Sequence, residues 1–188
     1  TVVTELTSSS SKTEAQQSRS TNLNVTPITS LVTKVLTKKS ETINSEPINT
    51  NDLQSSISVI TTVFNITKDD LEKDFIEEGN ANVTKLVTQI ETTSKSLTAA
   101  IAASNVTQKV VLDSIINQII ESNNNDAVVD FTDSTTITSI IEKVEDKNNL
   151  TIDNTVKSNA TSLISQVNTK VEEIAQDKDK TFTDKITE

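Results

Sequence analysis

Along most of the chain, apolar residues recur every three or four positions, the spacing that lines one side of an α-helix. The habit changes once, near the start. Asn22 to Thr26 alternates polar and apolar like a strand, whereas Ile28, Leu31, Val32, Val35 and Leu36 follow a helical rhythm. Thr26 is placed to cap that helix, and Pro27 suits its first position, where a missing N–H costs nothing. The helix is expected to end near Lys38, with Pro47 keeping the following polar stretch non-helical.

Further helices follow from the same rule. Asn51 or Asp52 is expected to cap one with Leu53, Ile57, Ile60 and Phe64 on one face. Thr67, with Asp70 three residues on, reads as the cap of a short acidic helix that buries Leu71, Phe75 and Ile76 and closes at Gly79. Val83, Leu86, Val87, Ile90, Leu97 and Ile101 mark a longer helix. Val106, Val110, Ile115, Ile116, Ile119 and Ile120 give the next one the broad apolar face of a central helix. Asn123, Asn124 and Asn125 are expected to end it, doing the left-handed turn work of a glycine.

A short connector leads to Asp133 or Ser134, which starts a helix that stops at Asn148 and Asn149. In the last clear helix Ile152, Val156, Leu163, Ile164, Val167, Val171 and Ile174 are expected to face inward, and a further turn is expected around Phe182 and Ile186. The fold class is therefore all-α: a multi-helix bundle over residues 27–188, preceded by an extended, β-like N-terminal arm over residues 1–26. Thr, Val and Ile are mediocre helix formers, so packing rather than propensity must hold these helices.

Composition narrows the function. The chain has no His and no Cys, hence no imidazole base, thiolate nucleophile, disulfide or zinc–sulfur site. Its one glycine excludes a P-loop and a dinucleotide fingerprint, and the absence of Tyr and Trp removes the usual sugar-stacking platforms. A net charge of -10 argues against nucleic acid as a partner. No apolar run approaches the ~20 residues that span a bilayer, so no membrane insertion is expected. The start at Thr1, without Met or signal peptide, is that expected of a processed product or an excised fragment. A bias to Thr, Ser and Asn with no cysteine suits the outside of a bacterial cell.

Candidate chemistry is sparse. The carboxylates Asp69, Asp70, Glu72, Asp74, Glu77 and Glu78 read first as a solvated helix face and second as calcium ligands. Asp126, Asp130 and Asp133 are the metal candidates outside that run, with Asp177, Asp179 and Asp184 looser still. Calcium is the only cofactor with candidate ligands. Asn-x-Thr triplets at Asn24, Asn65, Asn82, Asn105, Asn149 and Asn159 read as products of composition and as caps before they read as glycosylation sites. Ser94-Lys95-Ser96 is expected on a polar surface.

The order of motifs resembles a known family. "NVTPITSLVTKVL" is similar to the opening of a helical module in very large secreted bacterial surface proteins, where it follows Ig-like or carboxypeptidase-regulatory-like β domains. The similarity continues through "LQSSISVITTVFNITKDDLEKDFIEEGN", "AVVDFTDSTTITSIIEKV" and "LTIDNTVKSNATSLISQVNTKVEEIA". This chain carries Thr, Ser and Asn where the family has more Ala and Gly. The resemblance implies a structural or adhesive role outside the cell, often in RTX-type or calcium-associated assemblies, and carries no catalytic residues.

The expected function is a non-enzymatic structural or adhesive module of an extracellular surface protein or filament. Val2, Val3, Leu6, Leu23 and Val25 form the assembly arm, joining it by strand addition to adjacent domains of the same polypeptide or to copies of itself. The alternatives are an extracellular module that binds calcium, glycan or peptide, and a coiled-coil appendage or phage component. The helix breaks at Gly79, Asn123–Asn125 and Asn148–Asn149 weigh against sustained heptads.

Overall fold

The computed structural model describes residues 27–42, 49–72, 80–101 and 106–176. These form α1 (Pro27–Thr42), α2 (Thr50–Phe64), α3 (Lys68–Glu72), α4 (Ala81–Ala100), α5 (Gln108–Asn124), α6 (Ser134–Asn148) and α7 (Asn154–Gln176), with no strand among the described residues. The arm with Val2, Val3, Leu6, Leu23 and Val25 lies outside the described residues, as do Asp74, Phe75, Ile76, Glu77, Glu78, Gly79, Asp177, Asp179, Phe182, Asp184 and Ile186.

The helices after α1, whose preceding Thr26 lies outside the described residues, each begin where a side chain can satisfy unpaired N–H groups. Asn49 caps α2 through Oδ1 to the N–H groups of Asn51 and Asp52, and Asp52 returns a bond to the Asn49 N–H at 2.9 Å. The cap thus sits before the expected Asn51 or Asp52, because Asp52 is the answering carboxylate of the box. Thr67 and Asp70 form the expected reciprocal pair at α3, at 2.7 and 3.2 Å. Asp70 Oδ1 also accepts from Asn80 Nδ2 at 2.6 Å, and Asn80 caps α4. Thr107 caps α5 and Asp133 caps α6. α1 begins at Pro27 as expected but runs on to Thr42, with Lys38 paired to Glu41 at 2.8 Å and nothing to break it before Pro47.

Among the described residues three helix ends turn through left-handed residues, none of them glycine: Asn65, Asp126 and Asn149. At each, the N–H of the residue that follows reaches back to the carbonyl five residues earlier (Ile66 to Thr61, Ala127 to Ser122, Leu150 to Glu145), which closes the helix end. After α5 the left-handed residue is Asp126, whereas Asn125 stays at φ -105°. The expected asparagine trio therefore ends the helix without itself supplying the left-handed turn.

One core runs through all seven helices. α5 packs against α1, α2, α4 and α6, the central place its broad apolar face implied, while α4 lies along α7 and α6 pairs with both α5 and α7. Val111, Ile115 and Ile119 are closed to solvent at its middle, with Ile137, Ile140 and Val144 from α6. The connector after α5 is pinned too: Val129 N–H donates to Val63 O at 3.1 Å, and Phe131 stacks on Phe64 with centroids 6.2 Å apart. Burial on this scale supplies the stability that a Thr-, Val- and Ile-rich helix lacks on its own.

Two expectations about faces are corrected. On α7, Leu163 is 60% exposed and Val167 38% exposed, while Ala160 and Asn168 are buried. The helix is rotated so that Ala160, Ile164, Asn168 and Val171, spaced three or four apart, face inward. On α4, Ser94 is fully buried, because it falls between Ile90 and Leu97 on the inner side; only Lys95 of the Ser94-Lys95-Ser96 triplet is exposed.

Candidate functional site

A concave surface lies between α6 and α7, a helical hairpin whose connecting turn is clasped by charge. Glu145 accepts from the Ile152 N–H at 2.6 Å and pairs with Lys157 Nζ at 3.1 and 3.0 Å. The Glu145 side chain is only 14% accessible. Burial works to raise the Glu145 pKa, but the Ile152 N–H and the Lys157 ammonium outweigh it and hold the group below its ordinary value. At the α6 start, Asp133 is held below the usual carboxylate value by the Thr135 hydroxyl and N–H, and Asp153 does the same service for α7 through Thr155. Anions at helix N-termini are favoured in any case by the peptide dipoles.

From this clasp an open groove of about 700 Å³ runs along the pair. Ser134, Thr138 and Glu142 line one wall, and Lys157, Ser158, Thr161 and Ser165 the other. Thr138 and Thr161 face each other across it at 3.5 Å. Ser165 Oγ donates to the Thr132 carbonyl, fixing α7 to the connector. The groove is a hydroxyl surface with one carboxylate and one ammonium beside it. It can exchange hydrogen bonds with an extended polar chain.

Behind the groove sits a buried polar junction. Asn168 Nδ2 donates to Thr93 Oγ1 at 3.0 Å and to the Phe131 carbonyl at 2.9 Å, and Gln89 Nε2 donates to the Asn168 carbonyl at 3.1 Å. Asn168 Oδ1 is closed to solvent with no partner among the described residues, a cost this junction carries. Lys85 and Glu172, 3.0 Å apart, reinforce the same α4–α7 contact.

The carboxylates singled out by sequence go elsewhere. Asp126 takes the left-handed turn, Asp130 Oδ1 accepts from the Thr132 N–H at 2.8 Å and hydroxyl at 2.7 Å, and Asp133 caps α6. Among the described residues no three acidic side chains gather where they could share a metal ion. Nor, among the described residues, is any helix long and apolar enough to cross a membrane. Asn65, Asn82, Asn149 and Asn159 are exposed, and Asn65 and Asn149 serve as helix-end residues.

Sequence reasoning passed over the groove and the Asn168 junction. The available signal was the run Ser158, Thr161, Ser162 and Ser165, small polar residues at helical spacing beside a stripe of Ile and Val. Comparison with protein-family models, characterised proteins and solved structures returns no match for this chain.

Proposed function

We propose that this chain is a non-enzymatic structural or adhesive module working outside a bacterial cell, its segment 1–26 joining it to a neighbouring domain or to another copy. The observation that carries the reading is the outer side of α7, where Leu163 and Val167 stand in solvent beside the hydroxyl groove. Large apolar side chains placed outward and rimmed by polar groups fit a surface that meets another macromolecule, although Val128 in the connector before α6 is exposed as well. Capped helices, the Glu145–Lys157 clasp and the Asn168 junction make the body beneath it rigid, so little ordering is needed on contact.

Antibodies raised against the α6–α7 hairpin test the location. They are expected to label intact source cells, and labelling confined to lysed cells would overturn it. The Leu163→Asp/Val167→Asp double variant tests the surface, with adhesion or assembly expected to fall at least tenfold while the melting temperature holds. Unchanged adhesion would remove α7 from the role.

The groove supports a second reading, a module that binds an extended peptide or glycan. Thr138→Leu with Thr161→Leu would fill it, and binding that survives this change would exclude the groove.

A further inference from the structure

Two lines of side chains run along α7, and the helix seats neither squarely. Val156, Ala160, Leu163, Val167, Val171 and Ile174 are spaced by four, three, four, four and three, an unbroken apolar line on one side. Hydrophobicity alone would turn the middle of that line to the core. Instead Ala160 and Val171 are buried, Val156 and Ile174 are half-buried, and Leu163 and Val167 stand out in solvent. With successive residues about 100° apart, the line lies about 60° to one side of the direction in which the fully buried Ile164 points.

The opposite flank of Ile164 carries polar ties. Lys157 Nζ pairs with Glu145 at 3.0 Å, Thr161 meets Thr138 at 3.5 Å, and Ser165 Oγ donates to the Thr132 carbonyl. Asn168 reaches Thr93 at 3.0 Å and the Phe131 carbonyl at 2.9 Å, and Glu172 pairs with Lys85 at 3.0 Å. The α7 members are spaced by four, four, three and four, so they too form one line along the helix, about 60° from Ile164 on its other side. Their partners come from α4, α6 and the connector before α6, which close around that flank. The side chains of Lys157, Glu145, Lys85 and Glu172 are 25%, 14%, 25% and 31% accessible, so these two ion pairs are screened less than exposed ones. Turning α7 to seat the apolar line would carry all of these side chains away from their partners at once.

We propose that this polar seam is a rotational lock: it holds α7 off its apolar line and keeps Leu163 and Val167 presented, and release of the seam lets α7 turn about its axis and bury them. Asn168 is the central positioning residue, because its Nδ2 serves two partners and it is fully enclosed, whereas the other four are only partly buried. Its Oδ1, closed to solvent with no partner among the described residues, is a cost that the turned helix would shed. The two seats therefore compete: one satisfies the seam and leaves two large apolar side chains in water, the other buries them and breaks the seam. This rests on the structural or adhesive reading only for the use of the presented surface; the lock itself is a property of the fold.

The chain has no cysteine, so a single introduced thiol reports on one position. Leu163→Cys and Ile164→Cys are compared by maleimide labelling of the full chain, each with and without Asn168→Lys. An unpaired ammonium is too costly in the core, so this change drives α7 from its present seat. Labelling at position 163 is expected to slow at least tenfold and at position 164 to quicken at least tenfold, with the helical circular dichroism signal kept. Opposite changes at adjacent positions mark a rotation. Fast labelling at both would mean that α7 has come away with no second seat, and any other pattern that the seam does not set its orientation; each overturns the lock. Thr93→Val, which removes one partner of Asn168, is the milder variant and decides the matter if Asn168→Lys loses its helical signal. It is expected to shift the two rates in the same opposite directions at least twofold, and unchanged rates would overturn the lock. Labelling needs no partner, so adhesion indifferent to Leu163→Asp/Val167→Asp would remove the use of the surface and leave the lock standing.

Discussion

Asn168 on α7 places its Nδ2 3.0 Å from the Oγ1 of Thr93 on α4, and both residues are closed to solvent. An amide and a hydroxyl in an apolar core are stabilising only as long as each satisfies the other. The junction ties the last helix to the fourth and, through the Phe131 carbonyl, to the connector before α6.

Asn168→Ala is therefore expected to destabilise the protein by about 2 kcal/mol or more, since it strands the Phe131 carbonyl and Thr93 inside the core. Thr93→Val should cost about 1–3 kcal/mol. The double variant should fall short of the sum by at least ~0.5 kcal/mol in denaturant unfolding. Strict additivity would mean that the two side chains are not coupled.

Neighbouring positions on α7 should respond in opposite ways. Ile164→Ala removes a fully buried side chain and is expected to cost about 2–5 kcal/mol. Leu163→Ala removes an exposed one and should stay within about 0.5 kcal/mol. Equal losses at both would show that α7 is rotated differently from the structure described.

Acid should weaken the fold through Glu145, Asp113, Asp133 and Asp153, all held below their ordinary values. At Asp113 burial raises the pKa, but the Lys109 hydrogen bond and the charges of Lys109, Lys34 and Lys147 prevail. A carboxyl more acidic when folded than unfolded stabilises fully above its unfolded value. That contribution is lost as the pH falls through the folded value. Stability should accordingly decline from about pH 4.5 downward, where these groups begin to bind protons in the unfolded chain. Glu145→Gln should flatten part of the slope in melting curves taken across this range, and an unchanged slope would remove the clasp from the account.

The left-handed turn after α5 offers a stabilising change. Asp126 at φ 52° carries a Cβ against the following carbonyl, and Asp126→Gly should gain up to about 1 kcal/mol. Asn49→Ala, which removes the α2 cap, should lose about 1 kcal/mol. Thermal unfolding reads both, and a loss at Asp126→Gly would contradict the turn geometry.

Helices were legible wherever local chemistry is sufficient. Spacing of three and four follows from the geometry of one helix, so Val83, Leu86, Ile90 and Leu97 revealed α4, and Thr67 with Asp70 revealed the start of α3. The groove was not legible, since its hydroxyls become a surface only when α6 and α7 lie side by side.

The amino-acid sequence alone determined that the chain folds as α-helices, roughly where they begin and stop, and that no imidazole or thiol chemistry is open to it. Tertiary structure decided how each helix is turned about its own axis. On α7 that turn put Asn168 inside and Leu163 outside, against the hydrophobicity of both. The physical reason is that a helix rotates to satisfy the sum of its contacts. Here Thr93 and the Phe131 carbonyl offered Asn168 the partners that water would otherwise supply, and those partners exist only once α4 and the connector are in place.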